Sequence, residues 1–193
     1  MLPLGLLVNP RSGKDVRRVV AAAATSTLED KISIIRRVIQ GAQTAGVTNV
    51  VTNREPHRLV ERAVGNRSDI EVEYLGADLA GNETDSIVVA GGLRDAGCPA
   101  VVVLGGDGTN RAVALGWPDV PVVPLSTGTN NAFPYYVEPT VAGAAAGLIV
   151  TESIDRDSVA TRAKVVRIEH RTGGAIERDV ALIDAVAVDD PYV

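Results

Sequence analysis

Five short apolar runs along the chain predict β-strands. They are Leu4–Val8, residues 47–52, residues 70–75, Val101–Leu104 and residues 120–125. The fourth run contains no polar residue, and a continuous apolar run of this length is typical of a strand buried on both faces of a parallel sheet. In the third run apolar and polar residues alternate, which also indicates a strand.

The segments between these runs carry helical signals. Thr27 and Asp30 have the spacing of a capping box, and an apolar stripe follows as far as Gly46, which is expected to end the helix. The stripe consists of Leu28, Ile32, Ile35, Ile39 and Ala42. Further helices are predicted over residues 15–24, 56–65, 82–96 and 110–115. In a last helix, opened by Pro139, we expect the inner face to consist of Val141, Ala144, Ala145 and Leu148.

Strands that alternate with helices predict an α/β fold, a three-layer, doubly wound and mostly parallel sheet over residues 1–157. Two β-like runs then follow, 163–170 and 178–188, around a Thr-Gly-Gly turn, which is a hairpin signal. We expect residues 158–193 to begin a β-rich second domain that is incomplete. Because an isolated hairpin is marginally stable and has open edges, it should pack on the first domain or on another chain, so a homo-oligomer can form.

Composition narrows the classes of function. The net charge of −5 over 193 residues gives no electrostatic support to nucleic-acid binding, so we expect no nucleic-acid partner. No segment has the roughly 20 apolar residues of a membrane span, and we expect no membrane partner. Cys98 is the only cysteine, which is typical of a reducing compartment and favours a cytoplasmic protein. His57 and His170 lack partners at ligand spacing, so no structural zinc is predicted.

The segment that says most about the chemistry is Gly-Gly-Asp-Gly-Thr at residues 105–109, which directly follows the fourth predicted strand. In open α/β sheets, ligands bind at the carboxyl ends of strands, and glycines let main-chain N–H groups approach a phosphate. The carboxylate of Asp107 is unfavourable beside phosphate unless a divalent cation bridges the two, or unless it accepts a proton from a hydroxyl nucleophile. Both uses indicate phosphoryl transfer. We therefore expect this side chain to face open space.

Two familiar nucleotide motifs are absent. A Walker A loop would need glycine at Val8 and Ser or Thr at Asp15, and the dinucleotide fingerprint would need glycine at Arg111. Three ordered motifs instead resemble the NAD kinase and diacylglycerol kinase-like superfamily: Asn-Pro and Ser-Gly within 9–13, Gly-Gly-Asp-Gly-Thr at 105–109, and Pro-Leu-Ser-Thr-Gly-Thr-Asn-Asn-Ala-Phe-Pro at 124–134. The resemblance covers about residues 4–150 and is greatest to the ATP-NAD kinase-like branch that includes acetoin-catabolism protein X.

This resemblance implies the roles of individual residues. Asp107 would be the catalytic residue and a ligand of Mg²⁺ at the ATP phosphates. The ATP phosphates would be held by Gly105, Gly106, Gly108 and Thr109, and a second nucleotide contact would come from Asn9, Ser12, Gly13 and Lys14. The facing edge of the cleft, which would bind ribose hydroxyls or a base edge, would consist of Thr127, Gly128, Thr129, Asn130 and Asn131. Asp, Asn and Thr are also ordinary turn residues and Lys14 suits an exposed helix start, so purely structural roles stay open.

Two departures from the superfamily patterns concern the phosphoryl acceptor. NAD kinases typically carry an Asn-Glu or Asn-Asp pair at the NAD ribose, where this chain has Ile183 and Asp184. Asp184 would therefore be the remaining polar residue of this pair that could contact the NAD ribose. The lipid kinases follow the glycine loop with Asn-Glu, where this chain has Asn110 and Arg111. A lipid acceptor is therefore less favoured than a small molecule.

The function predicted from this resemblance is an ATP-dependent phosphotransferase. It would transfer a phosphoryl group from ATP, with Mg²⁺, to a hydroxyl of NAD or of another small nucleotide-like acceptor. The alternative is a nucleotide-binding or regulatory protein without catalysis, favoured by Ile183 and by the short second domain. A lipid kinase is the third alternative.

Overall fold

A computed structural model describes residues 1–12, 27–76, 79–82, 84–127 and 131–188. The helix predicted over residues 15–24 lies outside these ranges. Within them, no helix combines the length and the apolar character that crossing a bilayer would require.

Five parallel strands form the central sheet. They are β1 (Leu4–Val8), β2 (Asn49–Asn53), β3 (Glu71–Leu75), β4 (Val101–Leu104) and β5 (Val122–Leu125). Their order across the sheet is β3-β2-β1-β4-β5, with Leu6 paired to Thr52 on one side and to Val102 on the other. The chain therefore runs outward in opposite directions from β1, and a crevice is expected at the carboxyl ends of β1 and β4.

Six helices accompany these strands in the described part of the chain. They are α1 (Leu28–Thr44), α2 (Leu59–Val64), α3 (Thr84–Asp95), α4 (Asp107–Gly116), α5 (Pro139–Val150) and α6 (Arg156–Val159). One core joins the sheet to α1, α2 and α5, and a second core on the opposite face joins it to α3 and α4. Alternate strand residues divide between these cores, as Leu6 and Leu7 do. The predicted three-layer, doubly wound α/β fold is confirmed.

The predicted start of α1 is confirmed, whereas the predicted start of α2 is wrong. The capping box of α1 forms as predicted, since the Thr27 hydroxyl accepts from the Asp30 N–H and the Asp30 carboxylate accepts from the Thr27 N–H. Helix α2 begins at Leu59 rather than at Pro56. The reason is that Arg58 has a left-handed backbone with φ of 51°, while the buried Glu55 carboxylate accepts from the amides that follow.

The predicted inner face of α5 is wrong. Val141 is 59% exposed, and the buried face instead consists of Pro139, Ala142, Gly143, Ala146, Gly147 and Val150. This face lies against the backbone of α1: a Cβ on Gly143 would stand 2.0 Å from the carbonyl oxygen of Val38, and a Cβ on Gly41 would stand 2.0 Å from that of Thr140. The close approach of two helix backbones therefore selects the small residues.

The C-terminal hairpin consists of β6 (Val166–Thr172) and β7 (Ala175–Ala181). A two-residue turn at Gly173 and Gly174, with φ of 58° and 89°, joins them. The second run, predicted at 178–188, therefore begins earlier and ends at Ala181. Arg111 on α4 connects the hairpin to the sheet domain, because its Nε donates to the Val180 carbonyl at 2.8 Å and its guanidinium pairs with Asp179. The division into domains at residue 157 stays a prediction.

Candidate functional site

A cavity of about 760 Å³ lies at the carboxyl ends of β1 and β2 and at the start of α4. This is the crevice that the strand order predicts, where the connections leave β1 in opposite directions. Its described walls come from the turn after β1, the segment after β2, the start of α3 and the glycine segment. Pockets of 300–1,000 Å³ are typical of small-molecule sites, so the cavity has room for a nucleotide.

The three glycines of the segment have different structural roles. A Cβ on Gly105 would stand 2.4 Å from the Cβ of Thr109, and a Cβ on Gly106 would stand 2.8 Å from the Oδ1 atom of Asn131. At Gly108 a Cβ would meet nothing within 4 Å. Packing therefore accounts for the first two glycines, whereas the third leaves space at the cavity. Gly106 is also the N-cap of α4, so the helix N-terminus faces the same space.

The carboxylate of Asp107 lines the cavity and also binds main-chain amides. Its Oδ1 accepts from the N–H of Phe133 at 2.8 Å and of Ala132 at 3.1 Å, and its Oδ2 accepts from Ala132 at 3.1 Å. A carboxylate offers about four lone-pair sites, so Oδ2 retains acceptor capacity. The structural role that the sequence left open is therefore present, and the half-buried side chain also borders open space as expected.

Polar side chains connect the ends of three strands beside this cavity. Asn9, directly after β1, donates from Nδ2 to the hydroxyl of Thr109 at 2.8 Å. Ser12 donates to the carbonyl of Asn9 at 2.8 Å and accepts from the hydroxyl of Thr127 at 2.8 Å. Asn131 donates to the hydroxyl of Ser126 at 2.8 Å. The three sequence motifs thus meet in one hydrogen-bonded cluster.

The structure brings together most of the described site residues that the sequence predicts. Those that line the cavity are Asn9, Ser12, Gly106, Asp107, Gly108, Thr109 and Asn131. Gly105 and Thr127 are buried beside it. Asp184 is exposed beyond β7 and does not line this cavity. Gly13, Lys14, Gly128, Thr129 and Asn130 lie outside the described residues.

Two other carboxylates in the cavity wall are held in the same manner as Asp107. Glu55 accepts from the amides of His57 and Leu59, and Asp85 accepts from those of Ala80 and Gly81. Amide binding alone therefore does not distinguish Asp107, whereas its place in the glycine segment does.

The described ranges contain no group of three or more His, Cys, Asp or Glu residues able to hold a metal ion. Mg²⁺ often binds through one or two carboxylates together with substrate phosphates. The single carboxylate of Asp107 at the cavity fits Mg²⁺ in that form: it could serve as the protein ligand if phosphate and water supplied the remaining ligands.

Sequence reasoning missed two buried polar residues beside the cavity. Lys31 is fully buried. The sequence feature that could have identified it is its position on the apolar stripe of α1, between Leu28 and Ile35. Asn53 ends β2 in the cavity wall, is 6% exposed, and its Oδ1 has no hydrogen-bond partner among the described residues. No sequence signal marked Asn53. An orphaned buried oxygen is unfavourable, so this wall fits a ligand that brings a hydrogen-bond donor.

The matches to known proteins cover the residues that carry the three motifs. The family model described as ATP-NAD kinase N-terminal domain matches residues 4–154. Acetoin catabolism protein X of Cupriavidus necator is 37% identical over 199 aligned positions, which cover 98% of this chain and 55% of that protein. The chain thus spans about half the length of this relative.

Two solved structures of candidate diacylglycerol kinases from Bacillus anthracis also align with the chain. The first is 17% identical and the alignment covers 87% of this chain and 44% of the other, while the second is 15% identical with coverage of 94% and 63%. The TM-score is 0.38 in both cases, too low to support a functional argument.

Proposed function

We propose a function for this chain from one established premise: it belongs to the family of the ATP-NAD kinase N-terminal domain. Kinase-type phosphoryl transfer is the chemistry of that family. The proposal is that the chain contributes the ATP site of a phosphotransferase whose acceptor is a hydroxyl of NAD or of another small nucleotide-like molecule.

The observation that carries the proposal is the position of Asp107. Its carboxylate borders a cavity of about 760 Å³ at the N-terminus of α4, next to Gly108, at which a Cβ would meet nothing within 4 Å. The main-chain N–H groups at a helix N-terminus favour phosphate, whereas a carboxylate in the same place is suited to a metal ion or a hydroxyl proton.

The protein would act chiefly by positioning and by neutralising charge. Main-chain N–H groups of the glycine segment would hold the phosphates, and Asn9 and Ser12 would bind the nucleotide from the turn after β1. Oδ2 of Asp107 would accept the proton of the acceptor hydroxyl or bind Mg²⁺, which would neutralise phosphate charge when bound. The side-chain amide of Asn53, at the end of β2 in the cavity wall, would hydrogen-bond a base edge or a ribose hydroxyl.

The test is a transfer assay with γ-labelled ATP, Mg²⁺ and a panel of acceptors that includes NAD and small alcohols. It should be run on the chain and on a family member with the full length of the relative, of which the alignment covers 55%. We expect labelled product from NAD or a nucleotide-like alcohol. ATP binding without transfer to any acceptor, in both proteins, would contradict the proposal.

A second candidate function is a nucleotide-binding or regulatory protein without catalysis. Two observations favour it: the Asp107 carboxylate already stabilises the segment at Ala132 and Phe133, and Ile183 replaces an asparagine typical of NAD kinases. This candidate predicts measurable ATP affinity that does not change when an acceptor is added.

A further inference from the structure

Lys31 is the most unusual buried group in the described structure. It lies in the first turn of α1, its side chain is fully buried, and it is the largest residue among the fully buried ones. Burial of an ammonium group is costly unless its N–H donors are hydrogen-bonded. The ammonium donates to the carbonyl oxygens of Asn9 at 3.2 Å, Pro10 at 2.7 Å and Ser12 at 2.7 Å. These carbonyl oxygens lower the cost of burying the ammonium group.

These three carbonyls belong to the turn that forms one wall of the cavity. The same turn binds Thr109 through Asn9 and binds Thr127 through Ser12. The ammonium of Lys31 therefore lies behind a turn that is connected to the glycine segment on one side and to the loop after β5 on the other. A change in the turn would alter the cavity wall that faces Asp107.

We propose that Lys31 is a positioning residue for phosphate: it holds the turn at residues 9–12 in the shape that binds the phosphates of a nucleotide. This inference rests on the proposed function, because it takes a nucleotide as the ligand of the cavity. It assigns Lys31 no contact with the reacting atoms.

The test compares Lys31→Met with the unmodified chain by calorimetric titration of Mg²⁺-ATP and of AMP. Methionine has a similar length but no charge and no N–H donors. Since a hydrogen bond to a charged group contributes substantially, ATP affinity should fall roughly 10–100-fold. AMP affinity should fall much less, because AMP has one phosphate where ATP has three and so depends less on the phosphate contacts of the turn. In the transfer assay, KM for ATP should rise more than kcat falls.

Two controls separate positioning from a general loss of stability. Val38→Ala removes a buried side chain from the same helix, away from the turn, and should leave the ratio of ATP to AMP affinity unchanged. Hydrogen exchange of the Ser12 amide, which donates to the Asn9 carbonyl, should become faster in Lys31→Met and not in Val38→Ala. If Lys31→Met does not fold, Lys31→Gln takes its place; because its shorter side chain offers two N–H donors in place of three, ATP affinity should fall less but still more than AMP affinity.

The outcomes distinguish this inference from the proposed function. If the unmodified chain binds ATP and the variant binds it equally well, Lys31 has no such role and the proposed function stands. An equal loss of ATP and AMP affinity, matched by Val38→Ala, would also overturn the inference. If the unmodified chain binds neither ATP nor AMP, the proposed function fails, and the phosphate role of Lys31 fails with it.

Discussion

Substitution of Asp107 by asparagine separates the two roles that the structure gives this residue. The carboxylate is held by the amides of Ala132 and Phe133, and it borders the cavity through the acceptor capacity that remains on Oδ2. Asparagine retains one carbonyl oxygen, which can still accept from Phe133. Its amide NH₂ group would replace Oδ2, so the contact of the Ala132 N–H with that atom is lost along with the negative charge, while the Ala132 hydrogen bond to the retained oxygen can persist.

The structural and catalytic effects of Asp107→Asn differ in size. A hydrogen bond to a charged group contributes about 1.5–3 kcal/mol and a neutral one about 0.5–1.5 kcal/mol. The free energy of unfolding should therefore fall by about 1–3 kcal/mol, which leaves the chain folded if it has the usual 5–15 kcal/mol. Loss of a general base lowers turnover by typically 10²–10⁴-fold. ATP affinity should remain within a few-fold, because the phosphates are proposed to be held by main-chain N–H groups.

Glu138→Gln is the matched control. The Glu138 carboxylate also accepts from a main-chain amide at a helix start, that of Val141 at 3.0 Å, but it lies outside the cavity wall. Turnover with labelled ATP, ATP titration and urea unfolding are measured for both variants. We expect similar losses of stability and a loss of turnover only in Asp107→Asn. Equal turnover in the two variants would refute a catalytic role and would leave Asp107 as a turn-stabilising residue.

Two further predictions concern stability. Gly143→Ala would place a Cβ 2.0 Å from the Val38 carbonyl oxygen and should separate α1 from α5, lowering the free energy of unfolding by about 1–3 kcal/mol. The control is Gly91→Ala, where a Cβ meets nothing within 4 Å; it should raise the free energy of unfolding by roughly 0.5–1 kcal/mol. An unchanged or raised free energy of unfolding for Gly143→Ala would contradict the close packing of the two helices. The side-chain hydrogen bond from Arg67 lowers the pKa of Asp69 from 3.8 to about 2. The contribution of this pair to the free energy of unfolding is therefore fully present above pH 3.8 and is lost as the pH falls through about 2. Asp69→Asn should flatten the pH dependence of unfolding in that window, and an unaltered slope would show that the pair does not persist in solution.

The Asp107 and Lys31 variants examine different parts of one arrangement. In the proposed arrangement Asp107 lies where transferred charge would develop, whereas Lys31 would act only through the turn at residues 9–12. Loss of turnover with retained ATP affinity is expected for the first residue. Loss of ATP affinity is expected for the second. The opposite pattern would mean that the two roles are assigned to the wrong residues.

The sequence by itself determined the strands, the capped start of α1 and the place of the glycine segment. These features depend on local order: an apolar run such as Val101–Leu104, a Thr-to-Asp capping interval, or glycines that directly follow a strand. Because the carboxyl ends of parallel strands meet at one edge of a sheet, the order of elements also placed the described motif residues in one region. The family resemblance then supplied their chemistry.

Only the tertiary structure decided what each side chain faces across the sheet or between helices. The inner face of α5 that the sequence predicts is wrong, because Gly143 packs on the backbone at Val38. The distance between two helices is not a local property of the sequence. The carbonyl oxygens that accept from Lys31 lie about twenty residues back along the chain, and the unpartnered oxygen of Asn53 becomes apparent only when the cavity wall is formed. Burial and hydrogen bonding at these positions depend on contacts between distant segments, and residue order alone does not specify them.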